Sequence, residues 1–134
     1  MKDTAFSVVG ENIGRLASAL LAGGTHHGER VLSRPAVTLM TSDHLTPAQK
    51  AVSGFTPGYF DDFGWGFGMS VRTRRTHLGP WVGSYGWPGV YSTVWYSDPA
   101  EDMTTILMTQ RVHEPRSMSI QLDFWTAAYQ AIDD

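Results

Sequence analysis

The fold is set by residues 83–110, which read GSYGWPGVYSTVWYSDPAEDMTTILMTQ. This segment predicts a glycine-interrupted strand, a second strand, a polar turn and a third, nearly all-apolar strand. Pro88 indicates how the first strand lies. A proline has no N–H to give to a β ladder, so inside a sheet it belongs on an edge with its nitrogen facing outward. The segment therefore predicts a sheet whose first strand has an open side at Pro88.

The same geometry suggests a chemical role for the neighbouring amide. Backbone N–H groups two residues apart point to the same side of a strand, so the Val90 N–H would share the open side with Pro88, and Gly89 would leave the approach unobstructed. Acyl-transfer enzymes hold a developing oxyanion with bare amide donors of this kind. An edge strand whose proline discourages aggregation has the same features, and spacing alone favours that simpler interpretation.

Composition indicates one globular domain over residues 1–134. The hydrophobic content of 42% and the charged content of 17% are typical of a chain with a buried core. A net charge of −3 gives no field that would attract nucleic acid or acidic lipid. Arg72, Arg74 and Arg75 stand beside Gly79 and Pro80, which predicts a solvated hairpin tip and not a nucleic-acid surface.

Several classes of site are excluded by what the chain lacks. Without cysteine there is no disulfide, thiolate nucleophile or cysteine-based zinc site. The five histidines do not have the spacing of metal ligands, so we expect neither a metal nor a cofactor. The first six residues lack the apolar run of a signal peptide, and no stretch could span a bilayer. We therefore expect a cytoplasmic chain with no membrane partner.

Apolar periodicity predicts helices towards both ends of the chain. Apolar residues recur at helical spacing over residues 11–22 and again over residues 117–132. Ser33 followed by Pro35 predicts the start of a further short helix. The C-terminal helix has a broad apolar face, which indicates that it packs on a sheet.

Period-two alternation predicts a strand over residues 63–71, with large apolar groups on one face and glycine or serine on the other. The glycine face predicts a close approach, which a helix or loop lying flat against it explains best. The continuous apolar run Ile106-Leu107-Met108 predicts a strand covered on both faces.

Together these elements predict an α+β fold. Its antiparallel sheet comprises residues 63–71, residues 81–96 with a break near residues 87–89, and residues 103–110. The C-terminal helix packs on one face of this sheet, and two short N-terminal helices pack at the side.

An ordered series of short motifs resembles a known family. The motifs are Met1-Lys2-Asp3-Thr4-Ala5-Phe6-Ser7-Val8, Leu20-Leu21-Ala22-Gly23-Gly24, Val31-Leu32-Ser33-Arg34-Pro35-Ala36-Val37, Met40-Thr41-Ser42-Asp43-His44-Leu45, Gly64-Trp65-Gly66-Phe67-Gly68, Tyr85-Gly86-Trp87, Trp95-Tyr96-Ser97-Asp98-Pro99 and Met108-Thr109-Gln110. Nearly the whole chain resembles the C-terminal part of the serine β-lactamase-related hydrolases, which include class C β-lactamases, D-alanyl-D-alanine peptidases and family VIII carboxylesterases. The esterase-like branch is the most similar. The resemblance implies a partial β-lactamase/transpeptidase-like fold.

The resemblance also implies a site. In this family a third motif on an edge strand reads Lys-Thr-Gly in β-lactamases, with His or Trp in place of Lys in esterase-like members. Trp87-Pro88-Gly89 stands at that motif, and the Val90 amide would complete the oxyanion hole. Tyr85, Trp87, Pro88 and Gly89 would then bind substrate. Because Trp87 carries no positive charge, a neutral ester, amide or lactone would suit the site better than a carboxylate-bearing β-lactam.

The family's first two motifs, Ser-x-x-Lys and Tyr-x-Asn (or Tyr-x-Ser), are absent from this chain. Lys2 and Lys50 are the only lysines, and Pro47 stands three residues before Lys50. Asn12 is the only asparagine, and Gly10 stands two residues before it. The resemblance therefore implies a truncated hydrolase domain that contributes an oxyanion and substrate-binding strand but has no nucleophile, so that the chain alone would be inactive.

A non-catalytic role is the alternative. The domain could bind a partner fragment, or a glycan through its aromatic side chains. Without the parent family's N-terminal half, apolar sheet surface and an unpaired sheet edge would be exposed, which favours self-association. We therefore expect a homodimer, or association with the missing N-terminal fragment.

Overall fold

The computed structural model describes residues 4–53, 57–75, 77–112 and 115–133. In chain order the elements are α1 (Thr4–Leu21), β1 (Thr25–His26), β2 (Glu29–Arg30), α2 (Arg34–Met40), α3 (Pro47–Ala51), α4 (Tyr59–Asp62), β3 (Phe63–Trp65), β4 (Ser70–Arg72), β5 (Tyr85–Pro88), β6 (Val94–Asp98), β7 (Met103–Leu107) and α5 (Pro115–Gln130). The predicted α+β class, C-terminal helix and N-terminal helices are confirmed. Residues 1–3 of the first resembling motif lie outside the described residues. None of the described helices is long and apolar enough to cross a membrane.

Strands β3 to β7 form one antiparallel sheet in which spatial order follows chain order. β1 and β2 form a separate two-stranded hairpin after α1. α2 follows this hairpin in the chain, and it begins as Ser33 and Pro35 predict. Ser33 Oγ accepts the Ala36 N–H at 3.2 Å, and proline occupies the first turn.

Helices cover both faces of the sheet. Alternate residues of a strand point to opposite faces. On β6, Trp95 packs against the core cluster that includes Leu20 of α1, whereas Tyr96 packs with Trp125 of α5. α1 therefore lies across the face opposite α5 and contacts β6 and β7, where the sequence placed it only at the side of the sheet.

β7 is covered on both faces at Ile106 and Leu107, as the apolar run predicts, whereas Met108 lies beyond the strand and is exposed. Ile106 Cδ1 lies 3.8 Å from where a Cβ on Gly14 of α1 would stand. Leu107, the next residue, packs with the cluster around Trp125 of α5.

The predicted single strand over residues 63–71 is wrong, because these residues form the β3–β4 hairpin. Phe63 pairs with Arg72 across the two strands. The chain reverses between Gly66 and Met69, where the Gly66 N–H donates to the Met69 carbonyl at 2.9 Å. Gly68 has φ of +80°, a left-handed conformation that glycine adopts without strain. Glycine is common both on a closely packed strand face and in a tight turn. Alternating glycines therefore do not distinguish one long strand from a hairpin.

The glycine face admits a close approach, as predicted, and the segment after α2 occupies it. A Cβ on Gly64 would lie 2.0 Å from Asp43 Cγ, and one on Gly66 would lie 2.0 Å from the Met40 carbonyl oxygen. The Phe67 N–H donates to that same carbonyl at 3.0 Å. The end of α2 thus lies flat against the hairpin.

Asp43 ties this segment to β3. Its Oδ1 accepts the backbone N–H groups of Trp65 and Leu45, each at 3.0 Å, and Lys50 Nζ lies 2.6 Å from Oδ2. Burial opposes ionisation of this carboxyl, but the hydrogen bonds from Lys50 and the two amides outweigh it and lower the pKa of Asp43. The carboxylate therefore links the Trp65 amide of β3 to the Leu45 amide of its own segment.

We expect Gly64→Ala to destabilise the chain by about 1–3 kcal/mol, because the added methyl group overlaps Asp43. Urea unfolding followed by circular dichroism measures the change. Gly14→Ala is the matched control, since its Cβ meets nothing closer than 3.8 Å. Because alanine favours a helix, this control should stabilise by about 1 kcal/mol. A Gly64→Ala chain as stable as wild type would contradict the close packing.

Candidate functional site

β5, the strand that carries Pro88, is an inner strand with one open half. β6 pairs with all four of its residues, whereas β4 pairs only with Tyr85 and Gly86. Trp87 and Pro88 extend past the end of β4. The predicted edge strand is corrected accordingly, because the open side belongs to half of β5 and arises where β4 ends.

The Pro88 nitrogen faces this open side. The Gly89 N–H donates to the Thr93 carbonyl across the β5–β6 hairpin at 2.7 Å. Successive N–H groups alternate between the two sides of a strand, so the Pro88 nitrogen points away from β6. The Gly86 carbonyl, two residues earlier, accepts from Ser70 Oγ of β4 at 3.0 Å, in agreement with that alternation. The orientation predicted for Pro88 is thus confirmed.

Val90 lies in a turn and not on the strand, which ends at Pro88. The Ser92 N–H donates to the Gly89 carbonyl at 3.0 Å, so Val90 is the second residue of a four-residue turn. Its residue surface is 70% exposed. Among the described residues none accepts a hydrogen bond from the Val90 N–H. The extended geometry expected for Val90 is therefore corrected to a turn that leaves its amide available.

Gly89 is required by local packing. A Cβ there would lie 2.4 Å from Thr93 Oγ1, so the position for a side chain is already filled by the opposite arm of the hairpin. The sequence placed an unobstructed approach at Gly89, whereas its bare Cα accommodates Thr93.

Tyr85 is buried at the base of the strand. It is 2% exposed and packs with Leu20 and Val71 in the core on the α1 side. Burial raises the pKa of Tyr85 to about 12, with a smaller opposing contribution from a hydrogen bond with Ser97. The structure brings Trp87, Pro88, Gly89 and Val90 together at the open end of β5, while the Tyr85 ring supports that strand from within.

Trp87 lies in an aromatic cluster that the sequence analysis missed, formed with Tyr59, Phe63 and Trp65. Its ring meets Trp65 edge to face, with centroids 4.7 Å apart, and meets Tyr59 at 6.3 Å and 74°. Tyr59 stacks on Phe63 with centroids 4.8 Å apart and ring planes 13° apart. The alternation in residues 63–71 predicts that their aromatic side chains share one face of a strand. It does not predict that this face lies near Trp87 of β5.

The prediction of a solvated Arg72 is wrong, because this residue is 1% exposed. Its guanidinium carbon lies 4.5 Å from the Phe63 ring centroid and 5.9 Å from that of Trp125. Nη1 lies 3.5 Å from the Arg74 carbonyl, and Nε and Nη2 are buried without a hydrogen-bond partner among the described residues. Arg72 shares the α5 face of β4 with Ser70, and α5 covers it there. Arg74 itself is exposed, as predicted.

The open end of β5 offers an amide donor beside an aromatic wall. The aromatic side chains can contact an uncharged group, and the Val90 N–H can stabilise negative charge on an oxygen. Among the described residues no group of three or more His, Asp or Glu side chains could hold a metal ion.

Comparison with known proteins places this chain in a family. The sequence model of the family described as Beta-lactamase matches residues 4–130. Two curated proteins of Mycobacterium tuberculosis, Protein Rv1367c of strain H37Rv and Uncharacterized protein MT1414 of strain CDC 1551, are 38% identical over 101 residues. The match covers 72% of this chain and 25% of each relative, so the chain spans about a quarter of the length of these relatives.

Solved structures share the fold. Simvastatin synthase (LovD) from Aspergillus terreus matches 89% of this chain and 33% of its own, with a TM-score of 0.68 and 19% identity. EstCE1, a hydrolase with promiscuous acyltransferase activity, matches 85% and 28%, with a TM-score of 0.64 and 23% identity. A penicillin-binding protein homolog from Caulobacter crescentus matches 87% and 30%, with a TM-score of 0.63 and 20% identity.

We expect Gly89→Ala to destabilise the β5–β6 hairpin by about 1–3 kcal/mol, because its methyl group overlaps Thr93 Oγ1. Thr93→Ala removes that oxygen and keeps the backbone carbonyl that binds the Gly89 N–H. The double variant should therefore be more stable than the sum of the single changes predicts, by about 0.5–3 kcal/mol in a urea-unfolding cycle. Simple additivity of the two changes would show that Thr93 does not impose the glycine.

Proposed function

Because the chain belongs to the Beta-lactamase family, we propose that it supplies the oxyanion and substrate-binding strand of an acyl-transfer site. The substrate is a neutral ester, amide or lactone. The single observation that carries this proposal is the open end of β5, which extends past β4 at Pro88 and where the Val90 N–H binds no described residue.

The Val90 amide is suited to this role because the turn holds it in place before any substrate arrives. Hydrogen bonds from Gly89 to Thr93 and from Ser92 to Gly89 fix the backbone on either side of Val90. A donor already oriented towards a developing oxyanion needs no reorganisation during reaction, which makes such donors effective.

A neutral substrate fits the surroundings of the strand. Trp87 with Trp65 and Tyr59 forms an aromatic wall, and Trp87 stands where the resemblance places a lysine in β-lactamases. Arg72, the cation on this side of the sheet, is enclosed by Phe63 and α5 and does not reach the surface. A substrate carboxylate would find no positive partner in this wall.

The nucleophile has to come from outside this sequence, which contains neither Ser-x-x-Lys nor Tyr-x-Asn. Nucleophilic catalysis needs an activated group within hydrogen-bond reach of a base. The proposed strand therefore acts together with a segment that carries those two motifs.

We expect an added fragment bearing Ser-x-x-Lys and Tyr-x-Asn to restore hydrolysis of a p-nitrophenyl ester when mixed with this chain. Val90→Pro then tests the oxyanion donor, since proline suits the second position of such a turn and has no N–H. We expect kcat to fall by about 10²–10³-fold, the usual cost of one oxyanion donor.

Val90→Ala, which keeps the N–H, is the matched control and should retain activity. Equal activity of the Pro and Ala variants would overturn the role of Val90. The chain alone should show no stoichiometric serine labelling by a fluorophosphonate probe, and labelling would contradict the missing nucleophile. No restored activity, with a glycan-dependent thermal shift, would instead support the binding-module alternative.

We also propose that the chain associates through the outer edge of β7. This strand, Met103–Leu107, contains none of the lysine or proline residues that usually protect an edge. Because α1 covers the sheet face, the edge is the surface that favours pairing with a second copy or a partner fragment. Multi-angle light scattering at micromolar concentration should show a dimer, and a stable monomer would rule out self-association.

A further inference from the structure

The aromatic cluster around Trp87 is one end of a continuous stack that reaches α5. The guanidinium of Arg72 lies between the Trp125 and Phe63 rings, at 5.9 and 4.5 Å from their centroids. Phe63 is stacked by Tyr59 at 4.8 Å, and the edge of that pair meets Trp87 at 6.3 Å. All four spacings lie within the ranges for cation–π and aromatic pairs.

Burying the Arg72 guanidinium costs free energy, and filling the same space does not require a charged side chain. Arg72 is 1% exposed, and its Nε and Nη2 have no hydrogen-bond partner among the described residues. Asp62, the carboxylate that attracts it from a distance, is paired with Arg74 at 2.7 Å. Burial lowers the pKa of Arg72, yet an arginine stays protonated in proteins. An apolar side chain would fill this space without an unpaired charge.

We propose that Arg72 is a positioning residue that sets the orientation of Trp87 through Phe63 and Tyr59. This inference rests on the proposed function, which places Trp87 against the substrate. The planar guanidinium fixes the plane of Phe63, and Tyr59 lies within 13° of that plane. The Trp87 ring lies at 74° to the Tyr59 ring in an edge-to-face contact. The orientation of Tyr59 in the stack therefore determines the orientation of the Trp87 indole.

Two further contacts make the stack rigid where it meets β5. Trp65 contacts Trp87 at 4.7 Å and 85°, which supports the indole from a second side. The Tyr59 hydroxyl is buried beside Ser70 and Tyr96, and this burial raises its pKa. Ser70 Oγ in turn donates to the Gly86 carbonyl at 3.0 Å, one residue before Trp87. The stack and the strand backbone are thus held together.

The test uses the indole N–H resonances of the tryptophans in ¹H–¹⁵N spectra of the full chain. We expect Arg72→Met to shift the Trp87 resonance as well as that of Trp125. Arg75→Met is the matched control, since Arg75 lies 3.5 Å from the Trp81 ring centroid and outside the stack. It should shift Trp81 and leave Trp87 in place.

Two more variants keep the test decisive if Arg72→Met does not fold. Arg72→Lys keeps the charge without the planar group, and Phe63→Leu breaks the stack one step nearer Trp87. Both should shift the Trp87 resonance. In the fragment-complemented enzyme, Arg72→Lys should lower kcat/KM roughly ten- to a hundredfold, as expected for a misplaced contact group, while Arg75→Met leaves it unchanged.

A folded Arg72 variant that shifts Trp125 but not Trp87 would overturn the proposal, since Arg72 would then anchor α5 alone. The indole spectra need no catalytic activity. A shifted Trp87 in a chain that fails the ester assay would leave the positioning intact and reject only the proposed function.

Discussion

The turn at residues 66–69 limits how far β4 runs beside β5, and the candidate site depends on that limit. Because the chain reverses there, β4 is only three residues long and pairs with Tyr85 and Gly86 alone. β5 therefore extends two residues, Trp87 and Pro88, past the end of β4. A longer β4 would place a backbone where the open side of β5 now lies, and Pro88 would then interrupt a ladder.

The turn is held from outside the sheet. The carbonyl of Met40 accepts the Phe67 N–H, and the carboxylate of Asp43 accepts the Trp65 N–H of β3, so the end of α2 holds the turn and the first arm of the hairpin. Bare glycines at positions 64 and 66 allow this approach, since a Cβ at either would overlap the segment. The same glycines that bring the α2 end close therefore decide where β5 becomes accessible.

The sequence predicts features that depend on one residue's own backbone, but it does not predict which distant side chains come into contact. The orientation of Pro88 follows from a missing N–H and was predicted correctly. The hairpin at residues 63–72 was missed because glycine suits a strand face and a turn equally. The nearby Gly79 and Pro80 predict a solvated hairpin tip for Arg72, whereas its burial depends on Trp125, more than fifty residues along the chain. The contact of Trp87 with Tyr59 follows from the strand pairing, which periodicity does not encode.

The most direct test is amide hydrogen exchange at the neighbouring residues Gly89 and Val90, followed by NMR in the isolated chain. The Gly89 N–H is bound to Thr93 across the hairpin, whereas the Val90 N–H is held in the turn without a described acceptor. Gly89 should therefore exchange slowly, and Val90 should exchange at close to the rate of an unstructured peptide. A Val90 amide protected as strongly as that of Gly89 would contradict an available oxyanion donor at the open end of β5.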